Sequence, residues 1–337
     1  MDAMQFVPIL VVGFAASLGL TPLSRQIAMR FGVVDKPNQR KIHSDHKPLM
    51  GGLAIYLAFA LSLLLFSPPQ HLIELGAILA GAAFLAVIGL WDDRYGLSIR
   101  TRLAAMVIAS LALVAVGIQI RLFKTPLLDI PLTIVWVVAI INAINFLDNM
   151  DGLAAGVTAI AAGFFVIIGF KEQLTLVSSL AAALLGSAVG FLVYNFNPSS
   201  TFMGDMGALV LGFALAVLGI KLKFGTQQTD VTWMIPLLVL ALPIFDIHLV
   251  VITRLLEGRS PGQAGKDHTS HRLMSIGFSQ RQTLFILYGI CILFGTIGLL
   301  VSAAPRDMAL RVGMAALVFL GVLFLVMMLV RRRFQRV

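Results

Sequence analysis

PLTIVWVVAIINAINFLDNMDGLAAGVTAIAAGFFVIIGF, Pro131 to Phe170, decides the fold. Two apolar runs, 131–147 and 153–171, flank a short polar node that contains Asp148 and Asp151. Each run approaches the roughly 20 residues that an α-helix needs to cross a bilayer. Hydrocarbon offers backbone N–H and C=O groups no water, so a spanning run satisfies them internally, as a helix. A node of carboxylates and amides between two such runs is costly at the membrane boundary and needs a chemical reason.

The same pattern extends in both directions. Further spans are expected near 4–24, 51–67, 72–91, 102–122, 174–193, 207–223, 231–252, 283–303 and 309–330, eleven in all. The chain has 337 residues, 59% hydrophobic and 12% charged, with a mean hydropathy of +0.95. Soluble domains carry about twice that charge fraction, so a soluble globule and a disordered chain are both excluded. The expected architecture is all-α: one integral membrane domain over 1–337, a polytopic transmembrane helical bundle. No internal repeat is visible, which removes the usual signature of inverted-repeat transporters. The single cysteine, Cys291, excludes a disulfide framework and a cysteine metal site.

The net charge of +9 is not a nucleic-acid footprint, because the basic residues lie in short gaps between apolar runs. Of the 25 Lys and Arg residues, all but Arg121, Lys124, Lys171, Lys221, Lys223, Arg306 and Arg311 fall on one side of the expected topology. The positive-inside rule makes that side cytoplasmic. Eleven spans then place the N-terminus outside and the C-terminus in the cytoplasm of a multi-pass plasma (inner) membrane protein. The first span is not read as a signal peptide, since Met1 to Gln5 holds an Asp and no Lys or Arg.

Five polar stretches share the cytoplasmic face. WDDRYGLSIRTRL, Trp91 to Leu103, joins Asp92 and Asp93 to Arg102. Adjacent carboxylates can hold a divalent cation, or one can act as a base; a hydrated helix cap is the simpler alternative. In the node itself Asn142, Asn145, Asp148 and Asp151 recur every third residue. Each step drifts about 60° around an ideal helix, yet neighbours share a face, and hard oxygen ligands suit Mg²⁺. FNPSSTFMGDMGALVLG, Phe196 to Gly212, sets Asp205 at a glycine-flanked helix start and Phe202 in a polar loop. A helix N-terminus favours an anion, and a loop aromatic can stack on a base; a simple N-cap at Asp205 and an interfacial belt position for Phe202 are the alternatives. GRSPGQAGKDHTSHRL, Gly258 to Leu273, offers His268 and His271 as hydrogen-bond donors to phosphate oxygens; a zinc pair lacks a third soft ligand, and a solvated basic loop is the simpler alternative. VVDKPNQRKIHSDHKPLMGGLAIY, Val33 to Tyr56, brings Lys41 and His43 up to Gly51 and Gly52, able to receive a phosphate or simply to anchor the chain. Acids that can bind Mg²⁺, bases that can bind phosphate and one loop aromatic together point to a Mg²⁺-dependent enzyme joining a nucleotide-type diphosphate to a lipid substrate. A cation-coupled transporter would place its acids at mid-span. A membrane scaffold would not need these groups to converge.

The blocks DKPNQRKIH, P…GG, DD, NxxNxxDxxDGLA and FMGDxG, in order from Asp35 to Gly277, resemble the polyprenyl-phosphate N-acetylhexosamine-1-phosphate transferases. That group contains the UDP-GlcNAc:undecaprenyl-phosphate GlcNAc-1-phosphate transferases and, as relatives, the phospho-MurNAc-pentapeptide transferases. The resemblance implies transfer of a sugar 1-phosphate from a UDP-N-acetylhexosamine to a polyprenyl phosphate, with release of UMP, for cell-envelope polysaccharide synthesis. It implies that Asp205 and Asn145 ligate Mg²⁺, with Mn²⁺ as a substitute. Asp92 and Asp93 would orient or deprotonate the acceptor phosphate, with Asp148 beside them. Asp151 and Phe202 would contact the uracil, and Asn195 would help bind the nucleotide. Arg102, His268 and His271 would grip phosphates. Self-association into a homodimer is left open. The chain departs from the family pattern at Asn149, where Gly is common, and at Ser270, within an HTSH block where HxHH is common. The second departure favours a GlcNAc-type donor over the MurNAc-pentapeptide donor.

Overall fold

The computed structural model describes residues 3–35, 47–67, 69–222, 229–263 and 265–334. Lys41 and His43 lie outside the described residues. The backbone divides into two compact units, Met1–Lys221 and Leu222–Val337.

The first unit holds α1 (Val7–Phe31), β1 (Val34–Asp35), β2 (Lys47–Pro48), α2 (Gly51–Phe66), α3 (Leu72–Tyr95), α4 (Ile99–Ala115), α5 (Pro126–Leu147), α6 (Leu153–Lys171), α7 (Thr175–Asn195) and α8 (Gly204–Lys221). The second holds α9 (Thr229–Thr232), α10 (Met234–Val239), α11 (Ala241–Leu256), α12 (Thr269–Ser275), α13 (Gln280–Ala303) and α14 (Arg306–Phe334). Among the described residues, eight helices are long and apolar enough to cross a membrane. The chain is therefore an all-α multi-pass membrane protein. The apolar helix α2 has 16 residues, and α4 has 17 with Arg100 and Arg102 in its first turn.

Two expected spans differ in form. The stretch 231–252 is broken at Trp233 and Leu240 into α9, α10 and α11. Pro236 and Pro243 each occupy the third position of the new helix. A proline ring cannot donate to the carbonyl four residues back and collides with it, so the preceding helix stops and a new first turn begins. The stretch 102–122 is helical only to Ala115, and Gly117 follows with φ +80°.

Packing explains why α8 is central. Its sequence is apolar on every side, which suits a helix surrounded by others. It contacts α2, α3, α5, α6 and α7. Lipid tails are as apolar as leucine, so helix association in a bilayer rests on close van der Waals fit, which small residues permit. Gly52 of α2 lies against the Gly207 backbone, and Gly89 of α3 against Asp205 and Met206. A Cβ at either glycine would overlap those backbone atoms. Gly212 of α8 meets Ile141 of α5 in the same way. Two neighbouring backbones are thus drawn tight around the first turn of α8.

A short antiparallel pair completes that end of the unit, with Val34 opposite Pro48 and Asp35 opposite Lys47. From there the chain binds the segment leading into α8. Phe202 N–H donates to Pro48 O (2.9 Å), Gly51 N–H to Phe202 O (3.0 Å) and Gly52 N–H to Met203 O (2.9 Å).

Replacing Gly52 with Ala should lower stability by about 1–3 kcal/mol, as overpacking does. Gly76, on the open side of α3 with nothing near its Cβ position, should tolerate Ala with stability unchanged or raised. Thermal unfolding of the two purified variants in one detergent checks this; equal behaviour would remove the close α2–α8 approach from the fold's requirements.

Candidate active site

Helices running up and down bring their ends together at one end of the first unit. Asp92 and Asp93 end α3, Arg102 begins α4, Asn145 and Asp148 end α5, and Asp205 begins α8.

Asp93 anchors the start of α8. Its carboxylate accepts the backbone N–H groups of Asp205 (2.9 Å) and Met206 (3.3 Å). These first-turn donors have no partner within their own helix, and the helix dipole favours the negative charge. Gly204 makes the turn possible: its φ is +70° to the nearest ten degrees (+69°), and a side chain there would strike Asp93 and Leu49 O.

Asp205 then projects from a fixed turn. Its Oδ1 accepts the Asn145 side-chain amide, and its Oδ2 lies 3.9 Å from Arg102 Nη1. It also faces the Asp92 carboxyl. Asp92 Oδ1 accepts Leu97 N–H at 2.6 Å, which ties down the turn into α4, and its Oδ2 pairs with Arg102 Nη1 at 3.0 Å. Ser98 caps α4 by accepting Thr101 N–H, so Arg102 leaves a well-formed first turn. Asp148 caps the end of α5 and feels both Asp205 and Asp151. Burial first, then those two negative charges, push its carboxyl up to about 7.

The carboxyls of Asp92, Asp93 and Asp148 therefore gather around that of Asp205, and Arg102 approaches two of the four, Asp92 and Asp205. The gathering is a poor cage for Zn²⁺: among the described residues no three His, Cys, Asp or Glu side chains converge into a metal-binding group. It fits Mg²⁺ better, which takes one or two carboxylates and completes its shell with water and substrate phosphate. The Asp92 and Asp205 carboxyls face one another, an arrangement that a cation or a shared proton relieves.

The row of four polar residues in the 142–151 node is divided by the structure. Asn145 reaches Asp205, but Asn142 donates to Val138 O and lies against Met106 Sδ. The 60° drift per step accumulates, and α5 ends at Leu147, so the four do not form one ligand face.

Asp151 organises a second cluster. It accepts Ser199 N–H (3.0 Å), Ser199 Oγ–H (2.8 Å) and the Asn197 amide (3.2 Å). Lys47 donates to Ser199 Oγ (2.9 Å) and sits 3.9 Å from Asp151 and 4.9 Å above the Phe202 ring centroid. Asn195 is 2% exposed and spends its side chain internally, accepting Gly152 N–H and donating to Thr201 O. It fastens the α5–α6 turn to the loop before α8. Lys47 is the residue of this cluster that sequence reading leaves in a general basic run; its strand pairing with Asp35 is the feature that places it.

His268 and His271 belong to the second unit. His268 Nδ1 lies 2.8 Å from Asp246 Oδ2, and the two imidazole rings are 5.6 Å apart. Burial, reinforced by His268, pushes the His271 imidazole down to about 4. Around them Arg254, Arg259 and Arg331 converge on Asp267. Against the opposing effect of burial, the hydrogen bonds from Arg259 and Arg254 hold the Asp267 carboxyl well below the usual carboxylate range.

The raised Asp148 carboxyl gives a pH test. Its unfolded value is the ordinary one, near 3.8, and its folded value is about 7. Between the two, the folded chain holds a proton that the unfolded chain has lost, so stability falls as pH rises through that window. In metal-free protein, Asp148→Asn should flatten this decline and raise the melting temperature at pH 8 more than at pH 5. An equal change at both pH values would mean that Asp148 ionises normally.

Residues 75–223 match the glycosyl transferase family 4 model. The chain is 32% identical over 334 residues to the probable undecaprenyl-phosphate N-acetylglucosaminyl 1-phosphate transferase of Bacillus subtilis, covering 96% of this chain and 93% of that one. It is 32% identical to the decaprenyl-phosphate N-acetylglucosaminephosphotransferase of Mycobacterium tuberculosis, over 91% and 85% of the two chains. It is 29% identical to the undecaprenyl-phosphate alpha-N-acetylglucosaminyl 1-phosphate transferase of Escherichia coli K12, over 82% and 78%. With identity at this level along almost its whole length, and with its polar residues gathered at the helix ends, the chain belongs to glycosyl transferase family 4.

Proposed function

We propose that the protein transfers GlcNAc-1-phosphate from UDP-GlcNAc to a polyprenyl phosphate in a Mg²⁺-dependent reaction. An oxygen of the polyprenyl phosphate attacks the sugar-bearing phosphorus. The bond from that phosphorus to the bridging oxygen breaks, and UMP leaves with the electron pair. The polyprenyl-diphospho-sugar remains in the membrane. The class of enzyme, a membrane GlcNAc-1-phosphate transferase, rests on the relatives. The observation that carries the finer reading is the cluster of Asp92, Asp93 and Asp148 about Asp205, with Arg102 between Asp92 and Asp205 and Lys47 over the Phe202 ring.

Asp205, with Asn145 beside it, would hold Mg²⁺, which when bound offsets the charge of two anionic substrates. Asp93 has both carboxylate oxygens on the α8 backbone, so its role is to fix Asp205. Asp92 has one oxygen on Leu97 and the other toward Arg102, and it is the member of the pair placed to orient or deprotonate the acceptor phosphate. Arg102 would hold a phosphate oxygen between the two carboxylates it already approaches. Phe202 would stack on the uracil, with Lys47 and the Asp151-bound loop shaping its edge. His268 and His271 would act on phosphate oxygens. Asn195 would act on the nucleotide only indirectly, through the loop it fastens. The Lys and Arg distribution supports an orientation that puts this site on the cytoplasmic face of the membrane.

Purified protein given polyprenyl phosphate and a panel of radiolabelled UDP-sugars should label lipid most strongly from UDP-GlcNAc and release UMP in equal amount. EDTA should abolish the reaction and Mg²⁺ restore it. Labelling from UDP-MurNAc-pentapeptide instead, or full activity in EDTA, would overturn the corresponding part of the reading.

Phe202→Ala should raise the KM for the UDP-sugar by roughly 5- to 150-fold, the scale of one lost base–aromatic stack. The KM for the lipid should stay within about twofold of its original value. Equal changes in both would assign Phe202 to packing.

A further inference from the structure

Asp246 sits in α11 and is fully buried. A buried carboxylate needs its acceptor capacity filled, and here three donors fill it. Oδ1 accepts the Thr269 backbone N–H and the Thr269 hydroxyl, both at 2.7 Å. Oδ2 meets His268 Nδ1 at 2.8 Å. Thr269 opens α12 and His268 is its N-cap residue, so one carboxylate fixes both the start of that helix and the ring beside it.

The arrangement decides which ring nitrogen carries a proton. Two hydrogen bonds donated to Oδ1 stabilise the ionised carboxylate, and a carboxyl is a stronger acid than an imidazolium, so the proton shared across the Oδ2–Nδ1 contact stays on the nitrogen. The hydrogen of the short contact to His268 therefore lies on Nδ1. A neutral imidazole protonated at Nδ1 has its lone pair on Nε2. His271 differs: its Nδ1 is buried with no hydrogen-bond partner. Of the two histidines, His268 is the one whose protonation pattern the fold dictates.

We propose that Asp246 is a positioning residue for His268: it holds the ring in the Nδ1–H form and in one orientation, so that Nε2 is the atom that exchanges a proton or a hydrogen bond with a substrate phosphate. Asp246 itself touches no reacting atom. The inference deepens the transferase reading and depends on it for the assay, but the tautomer it requires does not.

Three measurements test it. In ¹⁵N-histidine-labelled wild-type protein, with the His268 signals identified by their loss in His268→Gln, Nδ1 of His268 should be protonated. A neutral ring with its proton on Nε2 overturns the proposal outright. Asp246→Asn can keep the Thr269 bonds only by turning its NH₂ group toward Nδ1, which moves the ring proton to Nε2. Its activity should fall at least about tenfold, and up to roughly 10⁴-fold by analogy with other carboxylate–histidine pairs that lose their tautomer. In the His268→Gln background the same change should cost less than about threefold, since the ring it acts on is gone. Equal losses in both backgrounds overturn the proposal. Thr269→Ala removes one Asp246 bond and leaves the tautomer alone, so it should keep at least about a third of wild-type activity. A loss matching that of Asp246→Asn would make Asp246 a structural cap for α12 and overturn the positioning role. If wild-type protein shows the Nδ1–H signal but transfers no sugar phosphate, the transferase reading fails while the tautomer assignment stands.

Discussion

The active end of the first unit depends on the contact between Asp93 and the first turn of α8. A helix start exposes backbone N–H groups with nothing to bond, and at a membrane boundary water is not a dependable substitute. Asp93 supplies the bonds to Asp205 and Met206. That contact is possible only because Gly89 lets α3 reach the α8 backbone and Gly204 adopts a left-handed turn. Asp205 is thereby held where Asn145 and Arg102 meet it. The segment from Lys47 to Gly52 holds the chain leading into α8 through three backbone bonds and carries Lys47 over Phe202. Chemistry that joins two anions needs groups that are already in place, because reorganising them during reaction would cost the advantage.

Much of this is legible from residues alone. Apolar runs of membrane length identify the helices, and polar blocks between them identify their ends. Asp205 beside two glycines reads as a helix start and is one. The parts that escape the sequence are those set by side-chain direction. Asn142, Asn145, Asp148 and Asp151 share a spacing, yet Asn142 turns to Met106 and Asp151 to Ser199. Spacing gives the angle between residues on an ideal helix, and this helix stops before the row is complete. The break of 231–252 was carried by Pro236 and Pro243, which hydropathy averages away. Lys47 and Asp246 owe their places to pairings with Asp35 and Thr269, which no local pattern announces.

The two units use carboxylates differently. In the first, acids outnumber the basic groups that meet them, and Asp148 responds with a raised carboxyl. In the second, Arg254, Arg259 and Arg331 surround Asp267 and hold its carboxyl low. An acid-rich cluster invites a cation, and a base-rich one steadies the chain that presents His268 and His271. This contrast follows from charge and burial.

The central claim is that the cluster built on Asp205 is a divalent-cation site, and binding tests it more directly than turnover. Purified protein titrated with Mn²⁺ and followed by electron paramagnetic resonance should remove free Mn²⁺ from solution, with tighter binding when a UDP-sugar is present. Asp205→Asn, matched to wild type in melting temperature, should lose that binding, because a neutral amide holds a hard cation less well than a carboxylate. Unchanged Mn²⁺ binding in Asp205→Asn would contradict the account.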